Sequence, residues 1–193
     1  MTLRVMLISP AAGPALRAAR FDDDAPLDAA AAARAEAAAG ALPAASTRLT
    51  APSARCRQTA RALGLDARPE PGLRDLDAGR WRGLTLEEVA AAEPEAVATW
   101  LADPEAAPHG GESVRALADR TGGWLDSLAG GDGRVLAVVE PAVVRALVVH
   151  ALGLPPHAFW RLDVPPLSLT GLSGRAGRWN LRCGRPLGPA GAP

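Results

Sequence analysis

Leu3 to Ser9 is an unbroken apolar run of strand length, the pattern of a strand buried on both faces of a parallel sheet. Thr47 to Ala51 reads as a short second strand, and Arg134 to Val139 as a further buried strand. Helix patterns lie between them. Asp28 is placed to cap Ala29 to Ala39, a stretch of strong helix formers that ends at Gly40, and Ser53 opens a helix reaching Leu63-Gly64. Thr85-Leu86-Glu87-Glu88 is a capping box, and Pro94 and Pro104 bound a further helical piece after it. Ser113 opens a longer helix with Val114, Leu117, Trp124, Leu125 and Leu128 along one stripe, stopped by Gly130-Gly131-Asp132-Gly133. Ala142 to Leu152 predicts one more helix. Leu167 to Thr170 and Trp179 to Arg182 predict a closing hairpin, and the Pro- and Gly-rich stretch from Gly184 a frayed tail. Strands alternating with helices in this order specify an α/β sandwich, with residues 1–183 as one domain and 184–193 as the tail.

Composition narrows the class. A chain of 193 residues, 48% hydrophobic, can bury the core of one ordinary domain, which excludes disorder and a miniature disulfide scaffold. The 21 basic residues, all Arg, balance 21 acids and are spread along the chain, so nucleic acid is a poor partner. The 43 Ala and the absence of Lys read as codon bias and carry no functional weight. The apolar run at the N-terminus is too short for a signal peptide, and Val135 to Leu154 is interrupted by Glu140, Pro141, Arg145 and His150, which rules it out as a membrane span. Cys56 and Cys183 lack metal-ligand spacing and read as reduced thiols, so the expected compartment is the cytoplasm. The three His, at 109, 150 and 157, limit any mechanism that needs an imidazole.

Five segments carry a family resemblance. Leu73-Arg74-Asp75-Leu76-Asp77-Ala78-Gly79-Arg80-Trp81-Arg82-Gly83-Leu84-Thr85 is similar to L-R-E-x-x-x-G-x-W-E-G-L-T, and Ala51-Pro52-Ser53-Ala54-Arg55-Cys56-Arg57-Gln58-Thr59-Ala60 to S-P-L-x-R-x-x-Q-T-A. Gly110-Gly111-Glu112-Ser113 resembles G-G-E-S, and Asp24-Ala25-Pro26-Leu27 fits D-x-P-L. Val135 to Leu147 aligns without gaps to V-L-V-V-S-H-G-G-V-I-R-A-L. These are motifs of the histidine phosphatase superfamily, and the resemblance to this phosphoglycerate mutase-like group runs over nearly the whole chain. It implies a three-layer α/β/α sandwich with a mostly parallel central sheet.

The departures fall on the chemistry. In the family the first strand ends in L-V-R-H-G, where the His attacks phosphorus and the Arg holds phosphoryl oxygens; here the place reads Leu7-Ile8-Ser9-Pro10-Ala11. The second family His falls on Glu140, and the leaving-group acid on Asp75. Only Arg55 of the central set is unchanged. Pro10, at the nucleophile position, has no reachable lone pair, so phosphotransfer by the family route is excluded. With Arg55 opposed by Asp75 and Glu140, the expected pocket is no longer cationic, and a carboxylate ~4 Å from a phosphate charge costs roughly 1 to 4 kcal/mol.

The catalytic candidates are therefore Asp75 and Glu140, and the ligand-binding candidates Arg55, Ser9, His109 and Glu112. Arg55 reads either as a clamp or, more simply, as the salt-bridge partner of Glu140 or Asp75. His109 lies in a loop flanking the site in the family and is expected to be solvated unless it reaches the pocket; His150 and His157 read as structural. The five Trp read as packing residues. No metal and no cofactor is expected, the expected partner is a small molecule rather than nucleic acid or a membrane, and the oligomeric state is left open. The leading reading is a family member that has lost phosphatase and mutase chemistry and serves in binding or regulation. The alternative is an enzyme of another class using Asp75 and Glu140 for acid–base work. A third is a phosphatase with an improvised nucleophile such as His109.

Overall fold

A computed structural model of the chain describes residues 2–128, 130–175 and 177–186. Six strands form one sheet in the order β3-β2-β4-β1-β5-β6. β1 (Leu3–Ile8) lies at its centre, because all but one of its side chains are buried, and a strand without a solvated face needs neighbours on both edges. It runs parallel to β4 (Arg134–Val138), with Val5 opposite Val135, and β4 runs parallel to β2 (Thr47–Thr50). The two-residue β3 (Arg68–Pro69) extends this parallel half. On the other side β5 (Ser168–Arg175) is antiparallel to β1 and hairpins into β6 (Arg178–Pro186). The alternating burial along β5 marks a strand with one covered face.

Helices flank the sheet. α1 (Pro14–Arg17) is a single turn, α2 (Ala29–Ala37) packs on α3 (Ala54–Ala62), and α6 (Val114–Ser127) packs on α7 (Pro141–Ala151). The expected caps form: Asp28 accepts from the Ala31 N–H, Ser53 from Cys56 and Ser113 from Ala116. Thr85 and Glu88 close the capping box at the start of α4 (Leu86–Ala92), which is followed at once by α5 (Pro94–Ala102). None of the described helices is long and apolar enough to cross a membrane.

Two expectations about the end of the chain need revision. The hairpin is longer than the apolar patches indicate, because Gly171, Ser173 and Asn180 take part in the ladder without an apolar signature. β6 also continues to Pro186 past the boundary expected at Gly184, with Ser168 and Leu169 paired opposite Pro186 and Arg185; residues 187–193 lie outside the described ones.

The main core joins β1 and β4 to Leu117 and Leu125 of α6 and Val144 and Leu147 of α7, all essentially inaccessible. A second core forms where Trp81, Trp100 and Phe21 meet ring to ring, with centroids 5.4 to 5.7 Å apart. Trp160 stacks edge-on to Trp100 at 4.4 Å, while Trp124 and Trp179 lean on the main core. The tryptophans are thus packing residues. This second core holds the segment from Leu76 to Trp81 against α4 and α5, and that segment forms one wall of the site.

Candidate functional site

The site lies where three parallel strands end. β1 leads into Ser9-Pro10, β2 into Pro52-Ser53 and the first turn of α3, and β4 into Glu140 and the start of α7. Arg55 and Glu140 close on one another here, both buried, at 7% and 0% exposure. The Arg55 Nη2 donates to Glu140 Oε2, and its Nε to Oε1 at 3.3 Å. Ser53 Oγ donates to the same Oε1 at 2.9 Å, and the Cys56 thiol reaches it at 3.4 Å. Both carboxylate oxygens are thereby engaged from the α3 side. Burial works to lower the Arg55 pKa, but the charge of Glu140 and its hydrogen bonds, with Asp22 behind them, hold the guanidinium above its ordinary value. Burial, reinforced by Glu140, pushes the Cys56 thiol well up, so it is no thiolate nucleophile.

Asp75 comes into the same neighbourhood from the wall after Leu73. Its side chain is half-buried, and its Oδ1 is sealed from solvent with no hydrogen-bond partner. Burial first, then the charges of Glu140 and Asp22, push its pKa up to about 8, against the pull of the Leu76 N–H and of Arg55. Asp22 is raised by burial and by Glu140, and its Oδ1 also lacks a partner. These two carboxyls open onto a cleft of about 330 Å³, also lined by Asp24, Asp77, Arg74 and Arg82. Asp22 left no sequence signal beyond a run of three Asp. Arg82 and Asp77 sit inside the recognised motif but at positions with no assigned role.

A folded-state carboxyl pKa above its unfolded value means the fold binds the proton more tightly. Stability from Asp75 is therefore full below pH ~4 and falls as pH rises towards about 8. Asp75→Asn is expected to flatten the stability profile across that window and to gain on the wild type as pH increases. Urea midpoints measured at pH 5 and pH 8 check this; an Asn variant that tracks the wild type across the window would contradict it.

The other sequence candidates sit elsewhere. The Ser9 hydroxyl donates to the Pro165 carbonyl at 2.5 Å and accepts from the Ser168 N–H at 3.0 Å, which staples β1 to the start of β5 rather than facing the cleft. Pro10 is buried behind it. His109 is not solvated: it is 1% exposed, with its ring 5.0 Å from that of Trp81, its Nδ1 accepting from the Gly111 N–H and its pKa lowered by burial. The aromatic core reached by this loop gave no signal in the G-G-E-S motif itself. Glu112 forms a two-pronged pair with Arg120, at 2.8 and 2.7 Å, and a weaker one with Arg74. Arg120, not foreseen, also donates to the carbonyls of Gly72 and Arg74, at 2.9 and 3.1 Å, and so fixes the backbone that presents Asp75.

The glycines of these motifs have a steric cause. A Cβ on Gly111 would lie 2.0 Å from the Asp77 carbonyl, and one on Gly79, at φ +49°, would lie 2.2 Å from that of His109. The two segments are stitched at that spacing by Glu112 N–H to Asp77 O and Arg80 N–H to His109 O. Asp24, itself at positive φ, accepts from the Ala54 N–H at 2.6 Å, so a carboxylate already occupies the N-terminus of α3. No group of three His, Cys, Asp or Glu among the described residues is arranged to hold a metal ion.

Comparison with known proteins agrees with this architecture. The chain is 39% identical over 92 residues, 43% of its length, to glucosyl-3-phosphoglycerate phosphatase of Mycolicibacterium vanbaalenii, and 29% identical over 106 residues, 53% of its length, to phosphoserine phosphatase 1 of Hydrogenobacter thermophilus. These matches span only 41% and 50% of the relatives' own lengths. Among solved structures, a mycobacterial hydrolase superposes with TM-score 0.83 at 27% identity, covering 95% of this chain and 98% of that one. The native structure of a mycobacterial glucosyl-3-phosphoglycerate phosphatase gives 0.81 at 26% identity, covering 94% and 97%. The family model for the histidine phosphatase superfamily (branch 1) matches residues 14–184, beginning just past Pro10. The chain belongs to the histidine phosphatase superfamily.

Proposed function

We propose that this chain keeps the fold of its family without phosphohistidine chemistry, and that it acts as a cytoplasmic binding or regulatory protein for a small molecule, with neither nucleic acid nor a membrane as partner. The observation that carries this reading is the closed Arg55–Glu140 pair in place of an open cationic pocket. Phosphoryl transfer needs a nucleophile in line and cationic donors on the equatorial oxygens. Pro10 supplies no lone pair, Ser9 is bonded to β5, and the inner face of Arg55 is taken by an internal carboxylate. The relatives named as phosphatases act on glucosyl-3-phosphoglycerate or phosphoserine; such substrates would meet four aspartates here.

Hydrolysis of p-nitrophenyl phosphate and a panel of sugar and glycerate phosphates tests the reading. The wild type is expected to match Arg55→Ala, with both at background. Turnover by the wild type that Arg55→Ala abolishes would overturn it.

A second reading has a specific observation behind it. Asp75, with its pKa pushed up to about 8 and its Oδ1 unpartnered in the cleft wall, has the properties of a general acid–base group at neutral pH. Glu140 fits that role less well, because Arg55, Ser53 and Cys56 surround its carboxylate. Conversion of a non-phosphate substrate that disappears in Asp75→Asn would favour this enzyme over a binding protein.

A further inference from the structure

At the end of the sheet opposite the cleft, where β1 and β4 begin, the fold gathers arginines that the sequence scatters. Arg4 lies beside Arg134 in the parallel register, and Arg175 faces Arg178 across the β5–β6 ladder. Ser173 and Asn180 join the two pairs, because Arg4 is paired with Ser173 and Ser173 with Asn180. The two-residue alternation of strands puts all six on one face of the sheet, the face turned away from buried Leu172. All four arginines are exposed, and none forms an ion pair among the described residues; Asp132, in the loop before β4, pairs with none of them. Like charges directly opposite on neighbouring strands repel, and here that happens twice with no carboxylate to offset it. This is the reverse of Arg55, whose charge is met from inside the protein.

A cavity of about 440 Å³ opens at the Arg175–Arg178 pair, lined also by Thr2, Ser173 and Asn180, with Trp179 in its wall. That wall is fixed: the Trp179 ring leans on the main core and lies so close over Gly174 that a Cβ there would come within 2.5 Å of it. We infer that this cavity binds a chain of linked phosphates, held at one end by Arg175 and Arg178 and at the other by Arg4 and Arg134, with the Ser173 hydroxyl and the Asn180 amide donating between them. Guanidinium forks match phosphate oxygens in paired, charge-assisted bonds. The two pairs stand roughly 7 Å apart along the strands, a span that two or three linked phosphates cover and a single phosphate does not. A bounded cavity of small-ligand size, rather than a continuous basic stripe, favours such a compact polyanion over a nucleic acid. The chain could be an inorganic polyphosphate or the tail of a nucleoside polyphosphate, and the same guanidinium groups serve both.

Isothermal titration at pH 7 and low salt tests this with sodium tripolyphosphate, ATP, inorganic phosphate and a single-stranded oligonucleotide as probes. Tripolyphosphate is expected to bind saturably and to weaken as salt is added, with inorganic phosphate left in the millimolar range because it meets one pair alone. ATP tighter than tripolyphosphate would assign the chain to a nucleotide, and ATP weaker to an inorganic polyphosphate. Arg178→Gln and Arg4→Gln, at exposed positions where folding is not at stake, should each weaken tripolyphosphate about tenfold. Arg175→Glu should abolish binding while unfolding no more readily than the wild type, since it sets opposite charges face to face across the ladder. Silence from both linked-phosphate probes would overturn the inference, whether or not the oligonucleotide binds, as would binding that these folded variants leave unchanged. Tripolyphosphate binding that survives all three and is lost in Arg55→Met would place the anion in the cleft, which would overturn the binding-protein reading as well.

Discussion

Glu140→Leu is expected to lower folding stability by about 3 to 5 kcal/mol, the scale on which one member of a buried ion pair is missed. The cause is what remains: the guanidinium of Arg55, 7% exposed, would keep its charge in a buried position after losing the Glu140 carboxylate that accepts both of its hydrogen bonds. The double substitution Arg55→Met with Glu140→Leu should recover most of the loss, since replacing a whole buried pair by apolar groups is close to neutral. Urea unfolding of the wild type, both single variants and the double variant gives the full cycle, and the slopes show whether two-state behaviour survives. A single variant within ~1 kcal/mol of the wild type would mean that the pair is open to water, and an unrecovered double variant that Arg55 and Glu140 stabilise the fold through other partners.

Trp81→Ala is the other large effect, with a loss of about 3 to 5 kcal/mol typical of a fully buried indole. Trp81 is inaccessible and meets Phe21, Trp100 and His109, so its removal opens a cavity that three rings cannot jointly refill. The consequence reaches the cleft. Arg80 N–H and the Gly79 and Gly111 backbones tie the Trp81 segment to the 109–112 loop, and Glu112 with Arg120 ties that loop to Asp75. A folded Trp81→Ala variant should therefore show faster amide exchange across residues 75–82 and 109–112, whereas β1 and β4 keep their protection. Uniform exchange throughout would show that the second core does not act as a separate cooperative unit.

In the parallel half of the sheet, β1 and β4 were legible as apolar runs and the helices by their caps, because both signals are local, whereas the two-residue β3, Arg68–Pro69, carries no apolar signature and was not foreseen. The hairpin was only half legible: pairing of Gly171 and Ser173 with β6 is decided by neighbouring backbone, not by side-chain periodicity. In the site, the Arg55–Glu140 contact could be anticipated from motif positions at two strand ends, because a buried guanidinium needs a partner. The surroundings could not. His109 resembles a loop residue in sequence, but the Trp81 and Trp100 rings it packs on belong to two other elements, whose meeting no local pattern displays. Ser9 looks like a strand-end group at the site, and only the return of β5 shows that its hydroxyl has a backbone partner. Asp22 lines the cleft without any pattern of spacing, Arg82 does so from a motif position with no assigned role, and Arg120 acts through carbonyls that sequence does not display.

The central claim is that Arg55 belongs to Glu140 and not to a phosphoryl group. Titrating inorganic phosphate into the wild-type protein and Arg55→Met, followed by phosphorus-31 line broadening, tests it directly. The account predicts no saturable binding to the wild type below the millimolar range and the same spectra for Arg55→Met. Micromolar binding by the wild type that Arg55→Met abolishes would contradict it.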